Sequence, residues 1–148
     1  FYLGTKEFKK ASRYKTPLIM FMIDIDKFKS INDNYGHASG DAALQAVAKI
    51  LAANGRASDI VARLGGEEFG MLLPNTKIQD ALVFAERLRA AIAASGCVAE
   101  DEHKRITVSI GLASFEADML DLDALIAKAD EAMYKAKESG RNRVVCAG

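Results

Sequence analysis

The chain has 148 residues, half of them hydrophobic, so a single domain (1–148) with a core that needs no metal or disulfide staple is expected. Its 20 basic and 20 acidic residues cancel, which argues against a nucleic-acid binder driven by global charge. Cys97 and Cys146 stand far apart in no CxxC pattern, and no apolar run approaches the roughly 18–20 residues of a membrane helix. The expectation is a reducing, cytoplasmic compartment with both thiols structural.

Residues 5–14 are polar and helix-compatible, with Phe8 and Ala11 three apart. Pro17 to Ile23 is a continuous apolar run that stops at Asp24-Ile25-Asp26. A run that short, ended by acids, predicts a central strand buried on both faces. Lys27 to Asn34 predicts a short helix stopped by Gly36, and residues 41–53 a second one, with Leu44, Val47 and Leu51 at helical spacing. Asp59–Leu64 and Phe69–Leu73 read as strands joined by Gly65-Gly66-Glu67-Glu68, a hairpin signal. Ile78, Leu82, Ala85, Leu88 and Ile92 mark an amphipathic helix. Arg105 to Phe115 alternates and is rich in β-branched residues, so it is a strand; residues 98–103 are a candidate edge strand leading into it. A last helix over 121–138 ends at Ser139-Gly140, and Arg143–Cys146 closes the chain as a strand. This order predicts an α+β domain: a mainly antiparallel central sheet surrounded by helices.

Asp24 ends a buried strand, and Glu67 and Glu68 sit at a hairpin tip. If those strands are neighbours, hard oxygen ligands converge there and suit Mg²⁺; otherwise they are solvated loop acids. Gly65 and Gly66 allow positive φ and let backbone approach a ligand, though a tight turn alone also calls for glycine. Asn32 and Asp41 carry the amide and carboxylate that pair with a guanine edge, or they cap helices. Lys29 is either a phosphate counter-charge or a solvated helix charge, and His37 is a loop or packing histidine rather than a base.

Four stretches carry a family likeness: DIDKFKSINDNYGHASGD (24–41), RASDIVARLGGEEF (56–69), TVSIGLA (107–113) and ADEAMYKAKESGRN (129–142). In this order and spacing they resemble the GGDEF family, the diguanylate cyclases. The resemblance implies a five-stranded sheet related to polymerase palms and class III nucleotide cyclases. It also implies condensation of two GTP into cyclic di-GMP with release of two pyrophosphates.

Residue by residue, the resemblance gives Glu67 a metal-binding role and a part in deprotonating the attacking 3′-hydroxyl; Glu68 is the second catalytic acid, shaping the loop within reach of the metal. Asp24 and the backbone carbonyl of Ile25 complete the Mg²⁺ (or Mn²⁺) site, and Asp26 is expected to cap the following helix instead. Lys137 and Arg141, four apart across a helix end, match the triphosphate-binding pair; Phe28, Lys29 and the N–H groups of 27–29 line that pocket. Asn32 and Asp41 match the guanine-recognising pair, and relatives that accept ATP lack the acid at Asp41. Gly65 and Gly66 face the nucleotide. Arg56 and Asp59 match an inhibitory site for the cyclic di-GMP product, which Arg87 completes from a neighbouring subunit in some members. The chemistry implies a transient antiparallel homodimer.

The family's opening Asp-x-Leu-Thr-Gly-Leu-x-Asn-Arg segment is absent, so the domain is expected to be truncated at its N-terminus, with sensory or dimerising domains upstream. Two other readings stand beside the cyclase: a catalytically silent domain that binds GTP or cyclic di-GMP and signals to a partner, and a palm-type cyclase acting on ATP.

Overall fold

The computed structural model describes residues 2–95 and 105–148. The expected edge strand over 98–103 and the Cys97 thiol lie outside the described residues.

In chain order the elements are α1 (Tyr2–Tyr14), β1 (Leu18–Ile25), α2 (Phe28–Tyr35), α3 (His37–Asn54), β2 (Ile60–Gly65), β3 (Glu68–Pro74), α4 (Ile78–Ala94), β4 (Val108–Ser114), α5 (Leu122–Glu138) and β5 (Arg143–Cys146). The strands form one sheet in the order β2-β3-β1-β4-β5. β2–β3, β3–β1 and β1–β4 pair antiparallel; among the described residues only β4–β5, joined through α5, is parallel.

All eight residues of β1 are buried, because helices cover both faces of the sheet. The side chains alternate between two cores. Ile19, Phe21, Ile23 and Ile25 pack with α3 and α4 through Val47, Leu51, Ala85, Leu88 and Ile92. Leu18, Met20 and Met22 pack with α1 and α5 through Phe8, Leu125, Ala129 and Met133. Burying each of the large apolar side chains contributes roughly 1.5–3 kcal/mol. The 4-3-4 spacing of Ala81, Ala85, Leu88 and Ile92 is what turns one stripe of α4 inward.

By this alternation Asp24 falls on the α5 face, opposite Ser109 and Glu68 in the flanking strands. Helix α5 lies almost on the sheet there. A Cβ at Gly111 would overlap backbone atoms of Met133 and Ala129, so only glycine admits the helix at this depth. Lys137, one turn beyond Met133, is thereby carried to the Asp24 end of β1. Among the described residues no helix is long and apolar enough to cross a membrane.

Candidate functional site

The β2–β3 hairpin closes through Gly66 and Glu67, with Gly66 at φ 47° and Gly65 at φ 157°. Nothing lies within 4 Å of where a Cβ would sit at either glycine, so backbone conformation rather than crowding demands them, and the surface above stays open. The turn is docked onto β1: the Ile25 N–H donates to the Glu67 carbonyl at 3.3 Å, and Asp24 faces Glu68 across the strand pair. Arg63 braces the turn by donating from Nε to the Gly66 carbonyl at 2.9 Å.

Asp24 is 2% exposed. Its Oδ2 pairs with Lys137 Nζ at 2.7 Å, while its Oδ1 is buried with no hydrogen-bond partner among the described residues. Burial pushes the Asp24 carboxyl up to about 6; Lys137 opposes the rise, and the charges of Glu67 and Glu68 add to it. A buried carboxylate with an orphaned oxygen beside two more carboxylates is a place short of positive charge. Among the described residues no three His, Cys, Asp or Glu side chains form a ready-made metal cage. The donor set therefore fits a hard cation that takes one or two carboxylates and draws its remaining oxygens from phosphate and water.

Asp26 does not cap α2 as expected. Lys27 stands at the N-cap in the left-handed region at φ 53°, with no side-chain cap bond. The Asp26 carboxylate is buried and turned toward β4 and the α5–β5 loop. It accepts from Ser109 Oγ at 2.6 Å, Thr107 Oγ1 at 2.8 Å and the Asn142 N–H at 3.0 Å. Donors from the neighbouring strand outcompete a helix end that lies one residue away.

Helix α2 leaves directly from the Asp24 end of β1. At the α2–α3 corner the Asn32 side chain fills the space over Gly40, where a Cβ would overlap Asn32 Oδ1 and crowd Phe28. Phe28 and Asn32 are half-buried, and Asp41, next to Gly40, is exposed, as is Lys29. Arg141 lies beyond the end of α5, as the Ser139-Gly140 stop predicts. Helix α5 ends at Glu138, Gly140 turns the chain at φ 130°, and Arg141 follows at φ 64°. Its N–H reaches back to the Ala136 carbonyl at 3.0 Å, and its exposed guanidinium has no partner among the described residues.

A second cluster lies at the far end of the sheet. Arg56 donates from its backbone N–H to Asp59 Oδ2 at 2.8 Å and from Nη2 to Asp59 Oδ1, the Pro74 carbonyl and Thr76 Oγ1. Arg56, Asp59, Thr76, Phe84 and Arg87 line one cavity of about 420 Å³. Arg87 lines this cavity beside Arg56 and Asp59 of the same chain, and its guanidinium rests 5.1 Å from the centre of the Phe84 ring. The roles of Asp26 and Thr76 were missed from sequence. For Asp26 the available signal was two hydroxyls, Thr107 and Ser109, spaced two apart at the start of a largely apolar strand.

The sequence family described as "Diguanylate cyclase, GGDEF domain" matches residues 4–143. Diguanylate cyclase A of Treponema denticola is 43% identical over 130 residues, which are 88% of this chain and 35% of that protein. The chain thus spans about a third of the length of the curated relatives it matches. The active GGEEF domain of a diguanylate cyclase from Vibrio cholerae superposes with a TM-score of 0.92 at 34% identity, covering 98% of this chain and 92% of that one. The GGDEF domain of DgcB from Caulobacter crescentus, in complex with c-di-GMP, gives 0.91 at 29% identity, covering 97% and 83%.

Proposed function

We propose that this chain, which belongs to the GGDEF family of diguanylate cyclases, joins two molecules of GTP into cyclic di-GMP. In each half-reaction the 3′-oxygen of one GTP forms a bond to the α-phosphorus of the other. The bond from that phosphorus to the bridging oxygen breaks, and pyrophosphate leaves. Two such steps close the ring and release two pyrophosphates. Because each GTP attacks the other, two chains must face each other antiparallel, which a transient homodimer provides.

The observation that carries this reading is the orphaned, buried Oδ1 of Asp24 beside Glu67, Glu68 and Lys137. Asp24, Glu67 and the Ile25 carbonyl would hold Mg²⁺ or Mn²⁺. Such an ion supplies charge neutralisation to a phosphoryl transfer and lowers the pKa of the attacking hydroxyl. Glu67 takes the 3′-hydroxyl proton, and Glu68, paired in register with Asp24, fixes the loop. Lys137 and Arg141 hold the triphosphate with Phe28, Lys29 and the backbone after β1. Asn32 and Asp41 read the guanine edge, and Gly65 and Gly66 leave the nucleotide room to lie over the turn.

The cavity shared by Arg56, Asp59 and Arg87 is the inhibitory site for the product: guanidinium forks chelate phosphate and stack on guanine, and the carboxylate pairs with a base edge. We place the reaction in the cytoplasm, where GTP is available, under the control of sensory or dimerising domains elsewhere in the protein.

The test is chromatography of GTP incubated with the full-length, dimerised protein and Mg²⁺ or Mn²⁺. Cyclic di-GMP and pyrophosphate are expected, with turnover lost and GTP binding kept in Glu67→Gln. Absence of cyclic di-GMP under both metals overturns the reading.

A further inference from the structure

We propose that Asp26 is a positioning residue that presents the triphosphate-binding arm, an inference resting on the GTP site described above. The loop after α5 carries Arg141 at φ 64° and Asn142 at φ 46°, two successive residues in a region that L side chains rarely adopt. Such a backbone persists only where its surroundings over-determine it.

The surroundings are on hand. Asp26 is 7% exposed, and its Oδ2 accepts from the Asn142 N–H while the same carboxylate is anchored through Ser109 of β4 and Thr107 just before it. The Asp26 N–H also donates to the Thr107 carbonyl at 2.9 Å. From the other side, Arg89 of α4 donates from Nη1 to Asn142 Oδ1 at 2.8 Å, itself steadied by Glu86. Asn142 is thus clamped between β1 and α4. Arg141, immediately before it, is turned out with a guanidinium that has no partner among the described residues.

Nothing in this arrangement touches the substrate through Asp26. Its effect on catalysis runs through Arg141, and through the end of α5 that carries Lys137. That makes its loss specific: contacts to the outer phosphates weaken, while contacts to the guanine edge, made from the α2–α3 corner, do not.

The experiment compares calorimetric binding of GTP and of guanosine monophosphate to Asp26→Ala, Asp26→Asn and Arg89→Ala. Asp26→Ala should weaken GTP about tenfold or more and leave the monophosphate within about twofold. Asp26→Asn should recover most of the loss: its Oδ1 still accepts from Asn142 and Thr107, and Ser109 can turn its hydroxyl to accept from the amide. Arg89→Ala, at a partly covered position outside the sheet's two cores, carries the test if Asp26→Ala does not fold; it should weaken GTP a few-fold with the same selectivity. Equal losses for both nucleotides, or an unchanged ratio in folded Asp26→Ala or in Arg89→Ala, overturn the proposal. Wild-type protein with no affinity for GTP overturns the underlying GTP reading as well, whereas wild-type binding with unaffected variants overturns this inference alone.

Discussion

At the Ile25 end of β1 a buried carboxylate has one partner and an orphaned oxygen; at the Leu18 end an arginine has several partners. The two ends stand roughly 20 Å apart along one strand. Asp24 has one ion-pair partner, one orphaned oxygen and two neighbouring acids. Arg56 is held by Asp59, Pro74 and Thr76, and the Asp59 side chain is 1% exposed. A site that is short of charge in its empty state gains a full interaction when a cation arrives. A site whose groups already satisfy one another must exchange internal bonds for ligand bonds, and the net gain is smaller. On the proposed function, the first design would suit the cation and the second a product that binds only when it accumulates.

The sharpest way to break this contrast is Asp24→Asn. It removes the buried charge while keeping the shape. Turnover should fall by about a thousandfold or more, because the cation loses its buried ligand. The metal-free protein should nonetheless become more stable by about 1–3 kcal/mol at about pH 7.5, since the cost of burying an ionised carboxylate disappears. Loss of activity together with loss of stability would show that Asp24 is a structural partner of Lys137 and nothing more. Next in size is Gly111→Ala. The new Cβ meets backbone of α5 rather than a yielding side chain, so a cost of about 2–4 kcal/mol is expected by thermal unfolding. Turnover should drop further than stability alone explains, because Lys137 retreats with the helix. Wild-type stability in that variant would mean that α5 does not rest on β4 as described.

The same contrast explains what the sequence could and could not yield. Ten elements were legible in their observed order, because β1 is an unbroken apolar run and α4 repeats its buried positions at helical spacing. The convergence of Asp24 with Glu67 and Glu68 depended on one strand pairing, β1 with β3, and the structure has it. Asp26 was misplaced, since local rules favour an Asp before a helix as its cap, and only the fold brings Ser109 and Asn142 within reach. Arg141 was expected just past the end of the last helix, and α5 does stop three residues before it; the left-handed turn that carries it had no local signature. The single-chain grouping of Arg87 with Arg56 and Asp59 is a tertiary fact with no local signature.

At the far end, Arg56→Ala should weaken cyclic di-GMP binding by about tenfold to a hundredfold in calorimetry, as expected where a guanidinium fork to phosphate is lost. Arg87→Ala should act in the same direction and less strongly, since its guanidinium already rests on Phe84. Uninhibited turnover should stay near wild type in both, because neither residue lies near Asp24. Unchanged product affinity in Arg56→Ala would refute the assignment of this cavity, and a fall in uninhibited turnover would mean the two ends are not independent.

The smallest expected effect follows from the carboxyl of Asp24 being pushed up to about 6 from 3.8. Between those values the metal-free fold binds more protons than the unfolded chain, so stability falls as pH rises through this window and stays lower above it. A cation needs the ionised form, so its stabilisation runs the other way: near zero at about pH 4.5 and fully present at about pH 7.5. Added Mg²⁺ should therefore raise Tm by a few degrees at the higher pH and hardly at all at the lower, a span that corresponds to roughly 1–2 kcal/mol for a domain this size. Asp24→Asn should flatten both trends. An equal Mg²⁺ shift at both pH values would place the ion elsewhere, and the buried carboxylate would then have to be explained by its ion pair with Lys137 alone.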